Sequence, residues 1–512
     1  MQRISRIYFA SLEVLWAAAL IGLPLTTFPL FASRMSAVVA PFSAGPILLI
    51  LALWLLPTLV LRKKRLPIEA WPLLVFVIVA LLSSAAAFFV EVPTLKGKSL
   101  FDQELRAFIT LGIGLGFYLV CASWPQDIPR LRKSLQWIHI GGALMVLWAL
   151  SQVIYIITQA ESYPAWLLNI QRYLVIKPSH FFFRGERTSG LAYEASWFAH
   201  QLATLYLPLW LSATFQRKSV FNFRLLGLSF ENILLVAGLA EFMMSSPRVS
   251  LLSLMLMLVL LIVFFNVWLV RKITRFITSR QQRTPSRLLR FGLPLGISII
   301  LLAGYILIFL GAIYFISQRD SRLELLVNKP PSWQEIKGLL RLDEITIIIV
   351  AARLAFLERV IYWLTGWRIF NDFPWLGVGL GNAGFFFTLK VPSVGWSSYE
   401  IRNVINVLPG LPNIKSFWVR LLAESGIVGF YVFAGWYYLM GKSSRLLRHS
   451  LDPTNKIIAL AGLLSLVAFL SEGFSIDSFA MPYLWVITGL LSAASMAYRN
   501  NLKLEKQEVG LK

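Results

Sequence analysis

Five short stretches of the 512-residue sequence place ionisable side chains inside or beside long apolar runs. The first runs from Phe183 to Trp197 and holds Arg184, Arg187 and Glu194. The two arginines stand just outside an apolar run and Glu194 just inside it. A carboxylate at that depth is either a functional group or the partner of one of these arginines, stapling the loop. The second stretch is Ser245-Ser246-Pro247-Arg248. A turn this short holds Arg248 against its flanking helices; the alternative is an arginine snorkelling to the membrane boundary. The third is a helical pattern with Arg353, Arg359, Trp363, Trp367 and Arg368. Arg359 and Trp363 are four residues apart and share a face. A guanidinium stacked on an indole stays planar and aimed at an anion. An aromatic and basic helix lying on the membrane is the other reading.

The fourth stretch, Asp372 to Gly384, includes Gly377, Gly379, Gly381 and Asn382. Gly379 to Gly384 spells GxGxxG, but a dinucleotide site needs a preceding strand, a following helix and a βαβ unit. The glycines rather let backbone pass close to a helix or a ligand. The fifth, Asn413 to Gly429, opens an apolar run with Lys415 and Ser416 and continues through Arg420 and Glu424. Arg420 and Glu424 are spaced to pair within the membrane. Lys415 is either functional or an ordinary interfacial lysine.

Taken together, these arginines suit an anionic lipid head group. A diphosphate presents many acceptor oxygens, and guanidinium forks match that geometry. Cys121 is the single cysteine, and the four histidines (His139, His180, His200, His449) are spread out. Neither forms a metal-ligand spacing, so no metal and no cofactor is expected.

The elements that position these residues are apolar. Hydrophobic residues make up 57% of the chain and charged residues 14%. That balance excludes a soluble globular enzyme and a disordered chain. It predicts an all-α polytopic membrane protein with about twelve spans, at 8–31, 37–61, 68–90, 107–124, 134–157, 190–214, 225–246, 249–270, 291–316, 416–440, 457–476 and 480–498. No cleavable signal peptide is evident at the N-terminus. Basic residues cluster in alternate connections: 62–65, 130–133, 217–224, the loop 271–290, 442–448 and the tail. The positive-inside rule then puts both termini in the cytoplasm. The net charge of +23 is read as this topology signal, and no nucleic-acid partner is expected. The opposite face carries 158–189 and a long loop, 317–415, between spans nine and ten. A loop of that length is usually functional. No internal repeat is visible, and the chain reads as one integrated membrane domain, 1–512.

The order of these motifs resembles the O-antigen ligase/O-antigen polymerase superfamily of bacterial envelope glycosyltransferases. The resemblance rests on Arg187–Trp197, on Ser246-Pro247-Arg248, on the run from Arg359-x-x-x-Trp363 to Gly381-Asn382, and on Ser416 through Gly429. It implies a GT-C-type architecture and a metal-independent, inverting transfer on the outer face of the bacterial inner membrane. The donor is a polyprenyl-diphosphate-linked glycan and the acceptor a glycan or lipid; a chain-length regulator is a candidate partner. By similarity, Arg248 and Arg359 hold the diphosphate, with Arg187 and Arg184 as accessories. Trp363, Asn382 and Ser416 fall at substrate-binding positions. Ligases of the superfamily carry a histidine where this chain has Lys415. A lysine serves as a base only where burial or neighbouring cations destabilise its ammonium, and Glu194 is the competing base. The missing histidine turns the reading towards a polysaccharide polymerase. A ligase acting on lipid A-core or protein is the alternative, and a lipid or solute transporter the remaining class.

Overall fold

The structure is a computed structural model describing residues 2–35, 38–61, 65–159, 163–176, 187–245, 248–279, 287–317, 330–354 and 356–510. Its elements in chain order are α1 (Gln2–Ile21), α2 (Pro29–Met35), α3 (Ala44–Leu61), α4 (Ile68–Ala87), α5 (Leu100–Ser123), α6 (Ile128–Thr158), α7 (Ala165–Leu174) and α8 (195–216). A hairpin of β1 (Arg224–Leu225) and β2 (Leu228–Ser229) leads into α9 (Phe230–Ser245) and α10 (Arg248–Ser279). There follow α11 (Arg287–Ser317), α12 (Trp333–Leu340), α13 (Glu344–Arg353), α14 (Leu357–Asp372) and α15 (Tyr399–Asn406). The last three are α16 (Phe417–Leu447), α17 (Pro453–Glu472) and α18 (Tyr483–Gly510).

A helix occupies each of the twelve apolar runs. Among the described residues, seven helices are long and apolar enough to cross a membrane: α3 to α6, the Arg248–Phe276 part of α10, α16 and α17. The chain is a mostly helical, multi-pass membrane protein. One run is shorter than its hydropathy suggests. The expected stretch 225–246 opens with the β-hairpin, whose turn Leu226-Gly227 has φ of 51° and 79°. Two positive φ values in a two-residue turn favour a hairpin over a helix. α9 therefore begins at Phe230, and Glu231 in its first turn accepts the Val220 amide at 2.9 Å and the Ser219 hydroxyl at 2.8 Å.

The chain divides into two compact units. The first comprises 1–254, 369–386 and 414–512. Its interior joins small-residue helix contacts, as where Gly489 of α18 lies against Cys121 and Tyr118 of α5, to a knot of aromatic rings. Phe417 stacks on Phe479, Phe433 and Phe469 at centroid distances of 5.0, 5.2 and 5.3 Å. Lipid tails are as apolar as leucine, so close packing rather than water exclusion drives such contacts. At the start of α4, Glu69 is buried, and its Oε1 accepts from Arg499, Ser443 and Ser495 of α16 and α18.

The second unit comprises 255–368 and 387–413. The apolar pattern over 344–371 is split between α13 and α14, because Leu354 caps α13 and the Phe356 amide turns back to Ala351 O at 2.9 Å. α12 opens with a capping box of Ser332 and Glu335, and α13 is capped by Asp343. Arg353 pairs with Glu335 across the two helices. The hydrogen bonds from Arg353 hold the Glu335 carboxyl below its ordinary value, and those from Thr346 do the same for Asp343. Depressed carboxyls stabilise the fold above the unfolded value, near pH 4, and lose that contribution as pH falls through the folded one. Hydrogen-exchange protection in peptides from 330–354, corrected for the pH dependence of the intrinsic rate, is therefore expected to fall below pH 4 relative to pH 7. In Glu335→Gln the loss of protection should shrink to the Asp343 share. An unchanged pH response in that variant would show that the pair contributes nothing to the hairpin.

Candidate functional site

The loop before α8 is held by backbone groups that find side-chain partners. The amides of Ser189 and Gly190 donate to Gln152 Oε1 of α6 at 3.0 and 2.8 Å, and Gln152 Nε2 donates back to Gly190 O at 3.2 Å. Leaving such buried donors unmet costs about 1–3 kcal/mol each. The loop is thereby fixed where Arg187 Nε donates to Ser245 O, the last residue of α9, at 2.7 Å. A cation at a helix C-terminus is electrostatically favoured. Arg248 begins α10 three residues further on, so Arg187 and Arg248 flank the same inter-helix turn. Ser246 and Pro247 of that turn lie outside the described residues, as does Arg184.

Glu194 is the N-cap residue of α8; its carbonyl accepts the Trp197 and Phe198 amides at 3.1 Å, and its carboxylate accepts the Ser196 hydroxyl. Lys415 adopts φ 49°, a left-handed conformation that reverses the chain into α16. Ser416 follows as the N-cap, accepting the Val419 amide at 3.3 Å and donating to Gly473 O at 3.2 Å. Its hydroxyl is engaged in holding α16 to the end of α17. The Phe417 amide also reaches Gly473 O, at 2.6 Å.

The end of α17 is a node for this region. Glu472 Oε2 lies 2.8 Å from His200 Nδ1 of α8, and Oε1 accepts the Ser253 hydroxyl of α10 at 3.0 Å. The next residue, Gly473, receives the start of α16. Helices α8, α10 and α16 thus begin at Glu194, Arg248 and just after Lys415, and each is tied within two turns to residues 472–473. The first two turns of three helices are thus tied to the end of α17 in the first unit. The opening amides of α16 are taken by Gly473 O and the Ser416 hydroxyl.

The glycine-rich run supports the same region. The Val378 and Gly379 amides donate to Ala423 O and Glu424 O at 3.0 and 3.1 Å, and the Ile427 amide donates to Pro374 O at 2.8 Å. α16 is broken at Gly426, with φ 62° and ψ −168°, and the run fills the break. A Cβ on Gly381 would meet Ala107 Cβ at 2.8 Å and Gln103 O at 2.9 Å. Of the two partners open at sequence level, the close neighbour is a helix. Asn382 is buried and donates to Glu104 Oε1 at 2.8 Å and Val378 O at 3.0 Å, locking the run to α5. Arg420 and Glu424 pair at 2.9 Å; Arg420 also donates to Asp477 O at 2.7 Å, and the Gly381 amide reaches the Glu424 carboxylate.

Arg359 and Trp363 belong to the second unit. Both are half-buried on α14, and Trp363 meets Phe356 edge-on at 5.2 Å. Tyr362 on the same helix donates to Glu400 at 3.1 Å; its hydroxyl is pushed above its ordinary value by burial and then by Glu400. Arg368 is engaged with Glu344 and Lys390 O. Arg353 and Arg368 are thus structural ion-pair partners.

Residues 233–434 match the family described as O-antigen ligase. The match supports the expected resemblance to the O-antigen ligase/O-antigen polymerase superfamily. Its span runs from α9 into α16 and takes in Arg248, Arg359, Asn382, Lys415 and the break at Gly426. Glycosyl transfer in general is the activity that the matched family implies. No curated protein matches the chain.

Sequence reasoning missed Gln152, Glu104, His200, Ser253 and Glu472. His200, Ser253 and Glu472 lie inside predicted spans, and an ionisable residue at that depth was the available signal for the histidine and the carboxylate.

Proposed function

We propose that the protein is an inverting, metal-independent glycosyltransferase that polymerises a polyprenyl-diphosphate-linked oligosaccharide. The observation that carries this reading is that Arg187 and Arg248 flank the turn between α9 and α10, while α8, α10 and α16 are all tied near their starts to residues 472–473. Negative charge develops on the leaving diphosphate as the glycosidic bond breaks. Guanidinium groups already aimed at that charge stabilise the transition state more than the ground state. Arg248 and Arg187 contact the diphosphate, and Arg184 is an accessory; Asn382 and Ser416 hold the surrounding backbone in place. Arg359 and Trp363 are assigned to diphosphate and substrate binding by the family resemblance alone. Lys415 or Glu194 takes the proton of the acceptor hydroxyl as that oxygen attacks the anomeric carbon.

In this reading the twelve apolar runs all cross the inner membrane as one integrated GT-C-type domain. Both termini and the basic segment 271–290, which takes in the end of α10 and the start of α11, are cytoplasmic, and the site faces outward. The charge distribution supports that orientation. Lysine at position 415, in place of the ligase histidine, favours polymerase over ligase. Deletion in the native cell should leave single repeat units on the carrier lipid, with long chains lost. Long chains still present on the carrier but no longer attached to lipid A-core or protein would establish the ligase instead.

A further inference from the structure

We infer that Glu472 is a positioning residue for the transfer reaction, acting through Ser253 on Arg248 and through His200 on Glu194. The inference rests on the functional reading above. Glu472 and His200 are each only 1% exposed. A carboxylate buried this deeply costs several kcal/mol unless it is fully partnered, and an apolar residue would avoid that cost. Here both oxygens are used: Oε2 faces His200 Nδ1, and Oε1 accepts from Ser253. Ser253 is held in turn by Ser471 at 2.7 Å. The His200 ring packs edge-on to Tyr483 at 5.7 Å, and Thr204 lies 3.4 Å from the same nitrogen.

The helices reached by this carboxylate are those that begin with candidate site residues. Arg248 lies five residues before Ser253, about 7.5 Å along the axis of α10, and Glu194 lies six before His200, about 9 Å along α8. Neither helix can slide or rotate without breaking a bond to Glu472. Gly473, one residue on, fixes the start of α16 at Ser416. One buried carboxylate therefore sets the relative registers of Arg248 and Glu194, and the adjoining Gly473 carbonyl holds the helix that follows Lys415. Misplacement of such groups by about 1 Å can cost on the order of 100-fold in rate.

The test uses the full-length protein in detergent with a polyprenyl-diphosphate-linked oligosaccharide as substrate. Ser253→Ala and Glu472→Gln are expected to lower kcat about 10- to 100-fold with little change in KM, and Ser253→Thr should restore most of the loss. In an Arg248→Lys background, Ser253→Ala should add little, because it acts through Arg248. Wild-type kcat in Ser253→Ala or Glu472→Gln overturns the inference. So does an equal fold-loss in both backgrounds, the signature of a smaller folded fraction. If Glu472→Gln does not fold, the Ser253 series decides. Absence of any transfer by the wild type overturns the functional reading and this inference with it.

Discussion

Arg248→Ala is expected to lower glycan transfer by about 100- to 1000-fold while the protein remains inserted and monodisperse. The size follows from the position of the side chain. Arg248 opens α10 beside the turn whose other flank is held by Arg187 on Ser245 O. Removing one preorganised donor from a site where charge develops costs about 3–4 kcal/mol of transition-state stabilisation. Arg248→Lys keeps the charge but loses the planar fork, so its activity should fall between the two. The effect should appear in kcat more than in KM, because the diphosphate gains charge as the bond breaks. Unimpaired turnover in Arg248→Ala, with normal chain lengths, would remove this arginine from the site.

The second large effect concerns stability. Gly426→Ala should cost about 3 kcal/mol or more and yield aggregated protein on size exclusion. At φ 62° and ψ −168° the backbone is in a region open essentially to glycine alone. An added Cβ would stand 2.1 Å from Trp375 O. The Ile427 and Val428 amides, whose helical partners are lost at the break, are bonded to Pro374 O and Trp375 O at 2.8 and 3.3 Å. Pushing the run 374–381 away would strand both amides and loosen the start of α16. Gly435→Ala on the same helix is the matched control, since a Cβ there meets nothing within 4 Å. It should be neutral or slightly stabilising. Comparable yields and melting temperatures for the two variants would contradict this account of the break.

The apolar runs were legible in the sequence because membrane crossing imposes a length and composition that local reading detects. The hairpin at 224–229 was not, since its short strands carry the same leucines as a span; only the Leu226-Gly227 turn separates them. Gly377, Gly379 and Gly381 could be read as close-approach positions. Gly377 approaches a helix break some 50 residues later and Gly381 approaches α5, and both pairings are tertiary facts. Arg420 with Glu424 was visible at helical spacing, whereas His200 and Glu472 are 272 residues apart, and no local pattern relates them. Ser416 illustrates the opposite limit. Its place in the motif was clear, but its hydroxyl proves to be committed to the Val419 amide and Gly473 O.

The central claim is that the ends of α8, α10 and α16 form a site for glycosyl transfer from a polyprenyl diphosphate. Its most direct test is turnover by the purified protein alone in detergent, supplied with a polyprenyl-diphosphate-linked repeat unit. The products are resolved by chain length. The predicted result is a ladder of extended glycans, with free polyprenyl diphosphate released at each step, that disappears in Arg248→Ala. Unchanged substrate with wild-type protein, or a ladder that persists in Arg248→Ala, would contradict it.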